Sequence, residues 1–258
     1  MTVAPRTVLI TGASSGLGAE FARRFAARGS ALVLVARRED RLQSLADDLR
    51  RDHGAEVHVL PADLAQEGAA RALRERLDAE GLRIDGLVNN AGFGVRGPAA
   101  MTDPVRVSEM VRVDVAALVD LTQEFLADIL DADGALVNIA STAAYQPCPG
   151  LAAYGAAKAF VLSYTEALAY ENRGSAARIL AVSPGPTATE FFDVVGSSFL
   201  SAPRTQSAAQ VVDRALRALD SASRPATVVT GWVNAAAATI VRLLPRRFAV
   251  ALSARALA

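Results

Sequence analysis

Tyr154 and Lys158, four residues apart in the stretch YGAAK, form a pair suited to moving a proton. The chain carries 27 Lys plus Arg, and Lys158 is its single lysine; the other 26 are arginine. Residues 153–170 predict a helix, which sets positions i and i+4 on one face. Free tyrosine titrates near ~10 and is a poor acid or base at neutral pH. A neighbouring ammonium favours the tyrosinate and lowers that value, towards the range where acid–base catalysis is efficient. The plainer alternative is a surface pair without a role. The elements that position the pair decide between them.

Those elements alternate. Residues 7–12, 31–37, 56–63, 86–92, 135–141, 178–185 and 226–231 are near-continuous apolar runs, the pattern of strands buried on both faces. Helical patterns such as GAEFARRFAARG and REDRLQSLADDLRRDHG fill the gaps, with Gly29 and Gly54 as their stops. The alternation predicts an α/β fold, a doubly wound, Rossmann-like parallel sheet of seven strands with helices on both faces. No linker or break in composition divides residues 1–258, so a single domain is expected. Residues 186–207 are long for a connection in a compact domain, as functional loops are. Residues 232–258 predict two short helices broken at Pro245.

The turn after the first strand reads TGASSGLG, with Gly12, Gly16 and Gly18 spaced GxxxGxG. Glycines there permit a tight turn and close approach of backbone to a pyrophosphate. The helix that follows offers free N–H groups to the phosphates. The second strand ends in VLVARRED, where an acidic residue would hold the ribose hydroxyls of NAD(H). Arg37 and Arg38 stand there instead, and a guanidinium suits a phosphate. The expected cofactor is therefore NADP(H) rather than NAD(H). Asp40 lies further along, on the solvated side of the next helix.

With these motifs in order, the chain resembles the short-chain dehydrogenase/reductase family, classical type, over nearly its whole length. TGASSGLG resembles the family's cofactor loop, which brings Ser14, Ser15 and Leu17 in with the three glycines. Asp63 and Leu64 resemble the pair that contacts the adenine. NNAG resembles the fourth-strand motif, in which Asn90, Ala91 and Gly92 line the cofactor cleft. Ser141 precedes Tyr154 by the family's spacing. SPGPTATEF resembles the segment over the nicotinamide, with Pro184, Gly185, Thr187 and Thr189 as contacts. The resemblance implies that Lys158 also holds the nicotinamide ribose, a double task that suits a compact ammonium better than a planar fork. It implies hydride transfer between nicotinamide C4 and a carbonyl or secondary alcohol. Tyr154 would then be the acid or base, and Ser141 would bind the substrate oxygen.

One position departs from the pattern. Many members of the family carry asparagine in the helix after NNAG, completing a proton relay, and the register through VRVDVAAL puts Asp114 there. Aspartate can keep the helix bend that asparagine makes. Its charge would offset part of the effect of Lys158 and hold the Tyr154 pKa higher than asparagine would.

The substrate pocket is expected from residues 92–101, 145–150 and 186–207. Phe93, Val95, Tyr145, Phe191, Phe192, Phe199 and Leu200 make these apolar, which points to a small hydrophobic carbonyl compound. Arg96 either meets an anionic group or faces solvent. At 52% hydrophobic and 21% charged the chain supports a sizeable core. Its zero formal net charge offers no bulk attraction to nucleic acid. The lone Cys148 excludes an internal disulfide framework, and with only His53 and His58 no metal site is expected. No signal peptide is read at the N-terminus, and AAAATIVRLL is too short to span a membrane, so a cytoplasmic protein is expected. The resemblance implies a homodimer or homotetramer. The competing readings are a non-catalytic NADP(H)-binding redox sensor or scaffold, and a dehydrogenase of sugars or acyl-thioesters. The intact Ser141, Tyr154 and Lys158 weigh against the first, the apolar loop and the absence of a basic patch against the second.

Overall fold

A computed structural model describes residues 2–191 and 205–257. Phe192, Phe199 and Leu200 lie outside the described residues, as does most of the 186–207 segment. The first half runs β1 (Thr7–Thr11), α1 (Gly16–Ala26), β2 (Ala31–Ala36), α2 (Glu39–His53), β3 (Val57–Pro61) and α3 (Ala69–Ala79). It continues through β4 (Gly86–Asn89), α4 (Pro104–Val111), α5 (Ala117–Asp131), β5 (Ala135–Ile139), α6 (Ala152–Glu171) and β6 (Arg178–Ser183). After the short β7 (Thr187–Ala188) and β8 (Gln206–Ser207) come α7 (Ala208–Leu219), β9 (Thr227–Val229), α8 (Trp232–Leu243) and α9 (Arg246–Leu257).

Seven strands form one parallel sheet in the order β3-β2-β1-β4-β5-β6-β9. Strand alternation divides the core. Val8 and Ile10 face a cluster with α1, α2 and α7, while Leu9 faces one with α3, α5 and α6. Both faces are covered, which is why the strands read as unbroken apolar runs. Burial of each large side chain contributes about 1.5–3 kcal/mol, and Phe21, Phe25 and Phe125 are fully buried. Gly54 ends α2 in the left-handed conformation at φ 62°, as its position in the sequence predicts. The C-terminal segment is two helices with Pro245 between them.

Most strands stop earlier than their apolar runs. The fourth ends at Asn89 rather than 92, the fifth at Ile139 rather than 141, the sixth at Ser183 rather than 185. The surplus residues bend away at the carboxyl ends of the strands, where a doubly wound sheet opens its crevice. That crevice forms where the chain leaves β3 and returns beside β1, so β1 and β4 are neighbours. A buried polar chain braces this centre. Asn89 Nδ2 donates to Thr122 Oγ1 (3.1 Å) and Asn138 Oδ1 (3.0 Å), and Asn138 Nδ2 donates to Thr165 Oγ1 (2.9 Å). It ties β4 and β5 to α5 and α6, the helices behind the site.

Candidate active site

The glycine turn is shaped by close approach. Gly12 and Gly16 adopt φ of 65° and 56°, a region side-chain-bearing residues rarely enter. A Cβ on Gly18 would lie 2.3 Å from the Gly12 carbonyl oxygen, so only glycine lets α1 start beside the turn. The Asn90 amide donates to the carbonyls of Thr11 (2.9 Å) and Gly12 (3.3 Å), fastening the turn to the end of β4. Thr11 Oγ1 accepts from the backbone of Asn90 and Ala91 at 3.0 Å each. The Ser15 side chain makes no capping bond to the first turn of α1, which leaves those N–H groups for an anion.

A cleft of about 590 Å³ opens above this turn. Its walls include Gly12, Ser14, Ser15, Gly16, Leu17, Arg37 and Arg38 at one end, and Asp63 and Leu64 beside them. Asn90, Ala91, Gly92, Phe93, Pro184, Gly185, Thr187 and Thr189 line its middle; Ser141, Tyr154, Lys158 and Phe191 line the other end. Its length, its glycine cradle and the basic end fit a phosphorylated dinucleotide. Arg38, rather than the exposed Arg37, makes the contacts, with Nε and Nη2 bonded to Ser14 Oγ (3.2 and 2.9 Å) and Nη2 to Ser15 Oγ (3.0 Å).

At the far end, α6 presents Tyr154 and Lys158 on one buried face. Gly155 allows this, because a Cβ there would press on Cys148 Sγ at 3.3 Å. Lys158 Nζ donates to the Ile139 carbonyl (3.1 Å) and lies 3.1 Å from Asp114 Oδ2. The second contact is an ion pair without hydrogen-bond alignment, so Oδ2 has no aligned donor among the described residues. Asp114 Oδ1 accepts the Phe93 N–H at 3.0 Å. A single π-helical turn, Arg112–Ala116, separates α4 from α5 and carries Asp114 inward. The bend expected of an asparagine is thus made around aspartate.

Burial, the largest influence, pushes the Tyr154 hydroxyl above its ordinary value; Lys158 pulls it down, Asp114 pushes it up, and a hydrogen bond with Ser141 pulls it down. The sequence-based expectation of a lowered value thus describes the contribution of Lys158 but not the sum, because the protein withholds water from the ring and shares the ammonium with Asp114. Burial also raises the Asp114 carboxyl, against the pull of Lys158 and the Phe93 N–H. For Lys158, burial acts downward, but Asp114 and Tyr154 outweigh it and raise the ammonium.

Four predicted residues do not line the cleft. Gly18 and Asp114 lie behind its wall as packing and charge. Val95 packs beside Met110, Cys148, Leu151 and Tyr154. Tyr145 turns away from the cleft, its hydroxyl 3.4 Å from both Ser183 Oγ and Thr227 Oγ1 and Arg242 stacked over its ring. The apolar loop reading could not see that β6 and β9 offer hydroxyls to Tyr145. Sequence reasoning also missed Glu190, which closes the arginine end, and the Ile139 carbonyl, a backbone group without a side-chain signal.

The family model described as short chain dehydrogenase matches residues 6–198. Sulfoacetaldehyde reductase 2 of Chromohalobacter salexigens is 38% identical over 187 residues, 71% of this chain and 73% of the relative. The NADP-dependent 3-hydroxy acid dehydrogenase of Escherichia coli is 34% identical over 190 residues, 72% of this chain and 75% of the relative. Among solved structures, a short-chain dehydrogenase from Sphingobium yanoikuyae in complex with NADPH superposes with a TM-score of 0.81 at 34% identity, covering 93% of this chain and 96% of that one.

Proposed function

Because the chain belongs to the short-chain dehydrogenase family, we propose that it is an NADP(H)-dependent oxidoreductase acting on the carbonyl or secondary alcohol of a small, hydrophobic substrate. The observation that carries this reading is the placing of Tyr154, Ser141 and Lys158 at one end of a cleft whose other end is Arg38 above a glycine turn. When bound, NADP(H) supplies or takes up the hydride.

The remaining work falls to the chain itself. In reduction, the Tyr154 hydroxyl gives its proton to the substrate oxygen while Ser141 donates a hydrogen bond to it, steadying the charge that develops there. In oxidation, the tyrosinate accepts the proton. Lys158, held by the Ile139 carbonyl and Asp114, stabilises that tyrosinate and presents its remaining donor capacity to the nicotinamide ribose. Phe93 and Phe191 exclude water and give the substrate end its apolar character. Residues 1–258 work as one domain, with residues 186–191 on the substrate side and α8 and α9 covering the cleft or joining subunits of a homodimer or homotetramer. Cytoplasmic residence goes with this reading. Among the described residues no helix is long and apolar enough to cross a membrane.

The test follows NADPH oxidation over a panel of ketones and aldehydes, with NADH in parallel and Tyr154→Phe as control. Turnover with NADPH that disappears in the variant is expected. A second reading, a non-catalytic NADP(H)-binding sensor or scaffold, is favoured by the Asp114–Lys158 pair, which engages the ammonium that catalysis needs. Tight NADPH binding with no turnover across the panel, unrelieved in Asp114→Asn, would favour that second reading.

A further inference from the structure

Glu190 stands directly after the threonines of the SPGPTATE segment and reaches across the mouth of the cleft. Its Oε2 accepts from Arg38 Nη1 at 2.9 Å, and its Oε1 accepts from Arg41 Nη1. Arg38 at the same time holds the Ser14 and Ser15 hydroxyls. Two guanidinium groups therefore converge on one carboxylate at the basic end of the cleft, and one of them also holds two hydroxyls. All three charged side chains are partly open to solvent, at 41%, 46% and 44% exposure for Arg38, Arg41 and Glu190. An incoming anion can reach the cluster.

We propose that Glu190 is a built-in competitor of the cofactor's 2′-phosphate, occupying Arg38 and Arg41 until a phosphomonoester displaces it. The proposal rests on the NADP(H) reading above. A carboxylate brings one charge and two acceptor oxygens. A phosphomonoester brings close to two charges and three acceptor oxygens, and satisfies the same forks more fully. It wins the exchange. A plain ribose hydroxyl has no charge to offer in return, so NAD(H) must bind with Glu190 still in place. The competition weakens the grip on the preferred cofactor and leaves the other untouched, so it narrows the gap between the two. The arginines hold the Glu190 carboxyl down at about 2, so it stays charged throughout the working range and the exchange is anion for anion.

The exchange reaches the reacting end. The next residue, Phe191, lies over Tyr154 with ring centroids 5.4 Å apart. On the other side, the Thr189 side chain sits against Gly16, close enough that a Cβ on the glycine would touch it at 3.1 Å. Displacing Glu190 removes an anchor of the segment that seats Phe191 on Tyr154. Recognition of the 2′-phosphate is thereby linked to access to the proton donor.

The test titrates wild type and Glu190→Gln with NADPH, NADH, 2′,5′-ADP and 5′-AMP, following binding by calorimetry. Glu190→Gln is expected to tighten NADPH and 2′,5′-ADP about fivefold, the upper range for exposed ion pairs, and to leave NADH and 5′-AMP within about twofold. Glu190→Asp, charged but too short to reach both arginines, should fall between. Unchanged or weaker NADPH binding in Glu190→Gln, or equal tightening of all four ligands, overturns the competitor while leaving the cofactor reading intact. Wild-type protein that holds NADPH no better than NADH overturns both.

Discussion

The Lys158 ammonium and the Asp114 carboxylate meet 3.1 Å apart with side-chain exposures of 6% and 0%. The single lysine of the chain is thus half of a buried ion pair, and its partner stands within the π-helical turn Arg112–Ala116. Two backbone groups, the Ile139 carbonyl and the Phe93 N–H, set the arrangement together with the π-helical turn itself.

Asp114→Asn should move the pH dependence of turnover. Asp114 pushes the Tyr154 hydroxyl up, so removing its charge lets the tyrosinate form at lower pH. The oxidative rate should then rise at lower pH than in wild type, and the reductive rate, which needs the protonated ring, should fall at lower pH. A pH–rate profile in both directions checks this, and superimposable profiles would discard the electrostatic role.

Lys158→Ala should destabilise the fold as well as abolish turnover. Removing one partner of a buried pair leaves an uncompensated carboxylate and costs about 3–5 kcal/mol. The double variant with Asp114→Asn should recover most of that loss, because no charge is left behind. Urea unfolding of the wild type, both single variants and the double variant gives the coupling directly. Additive losses would show that the pair contributes nothing as a pair.

Because burial works against the charged form of Lys158 and Asp114 raises it, stability from this pair has a defined pH window. The lysine's contribution is fully present below its unfolded value near ~10.4 and is lost only as pH rises through its raised folded value. Unfolding midpoints should hold steady up to that unfolded value and drop in strongly alkaline buffer. The drop should be smaller in Asp114→Asn.

Tyr154→Phe should lose about 10²–10⁴ in turnover, the usual contribution of a positioned acid or base. NADPH affinity should stay within a few-fold, because the ring still fills its place beside Phe191. Fluorescence titration alongside the rate assay separates the two. A comparable loss of affinity would make the residue a binding group.

Gly18→Ala should weaken cofactor binding without touching the acid–base residues. The added methyl would sit 2.3 Å from the Gly12 carbonyl oxygen, so the turn or α1 must move, at about 1–3 kcal/mol of strain. A fall in melting temperature together with a raised Kd for NADPH is expected. An unchanged Kd would show that the turn does not need this close approach.

Much of this is legible in the sequence. Strands buried on both faces announce themselves as apolar runs, so all seven were found, and the spacing of Tyr154 and Lys158 places them on one helix face wherever the ends fall. The glycine turn at the end of β1 and the place of Asp114 beside Lys158 both depend on local sequence. The misses share a cause. Glu190 meets Arg38 across 152 positions, and Tyr145 meets Thr227 across 82. Neither partner leaves a mark near the other in the sequence. The apolar runs extend past β5 and β6 because Ala140, Ser141, Pro184 and Gly185 beyond them are also apolar or small and line the cleft.

The neighbourhood of β1 and β4 also bears on how the chain is made. On the ribosome, Thr11 emerges long before Asn90, its partner through both backbone and side chain. At about 5–20 residues per second the 78 residues between Thr11 and Asn90 take roughly 4–16 s to synthesise. During that interval β1 can pair with β2 on one side while its other edge stays open, an apolar strand edge of the kind that recruits foreign chains. Arrest of synthesis before Gly86 would leave a nascent product whose β1 is half paired and which depends on a chaperone to stay in solution.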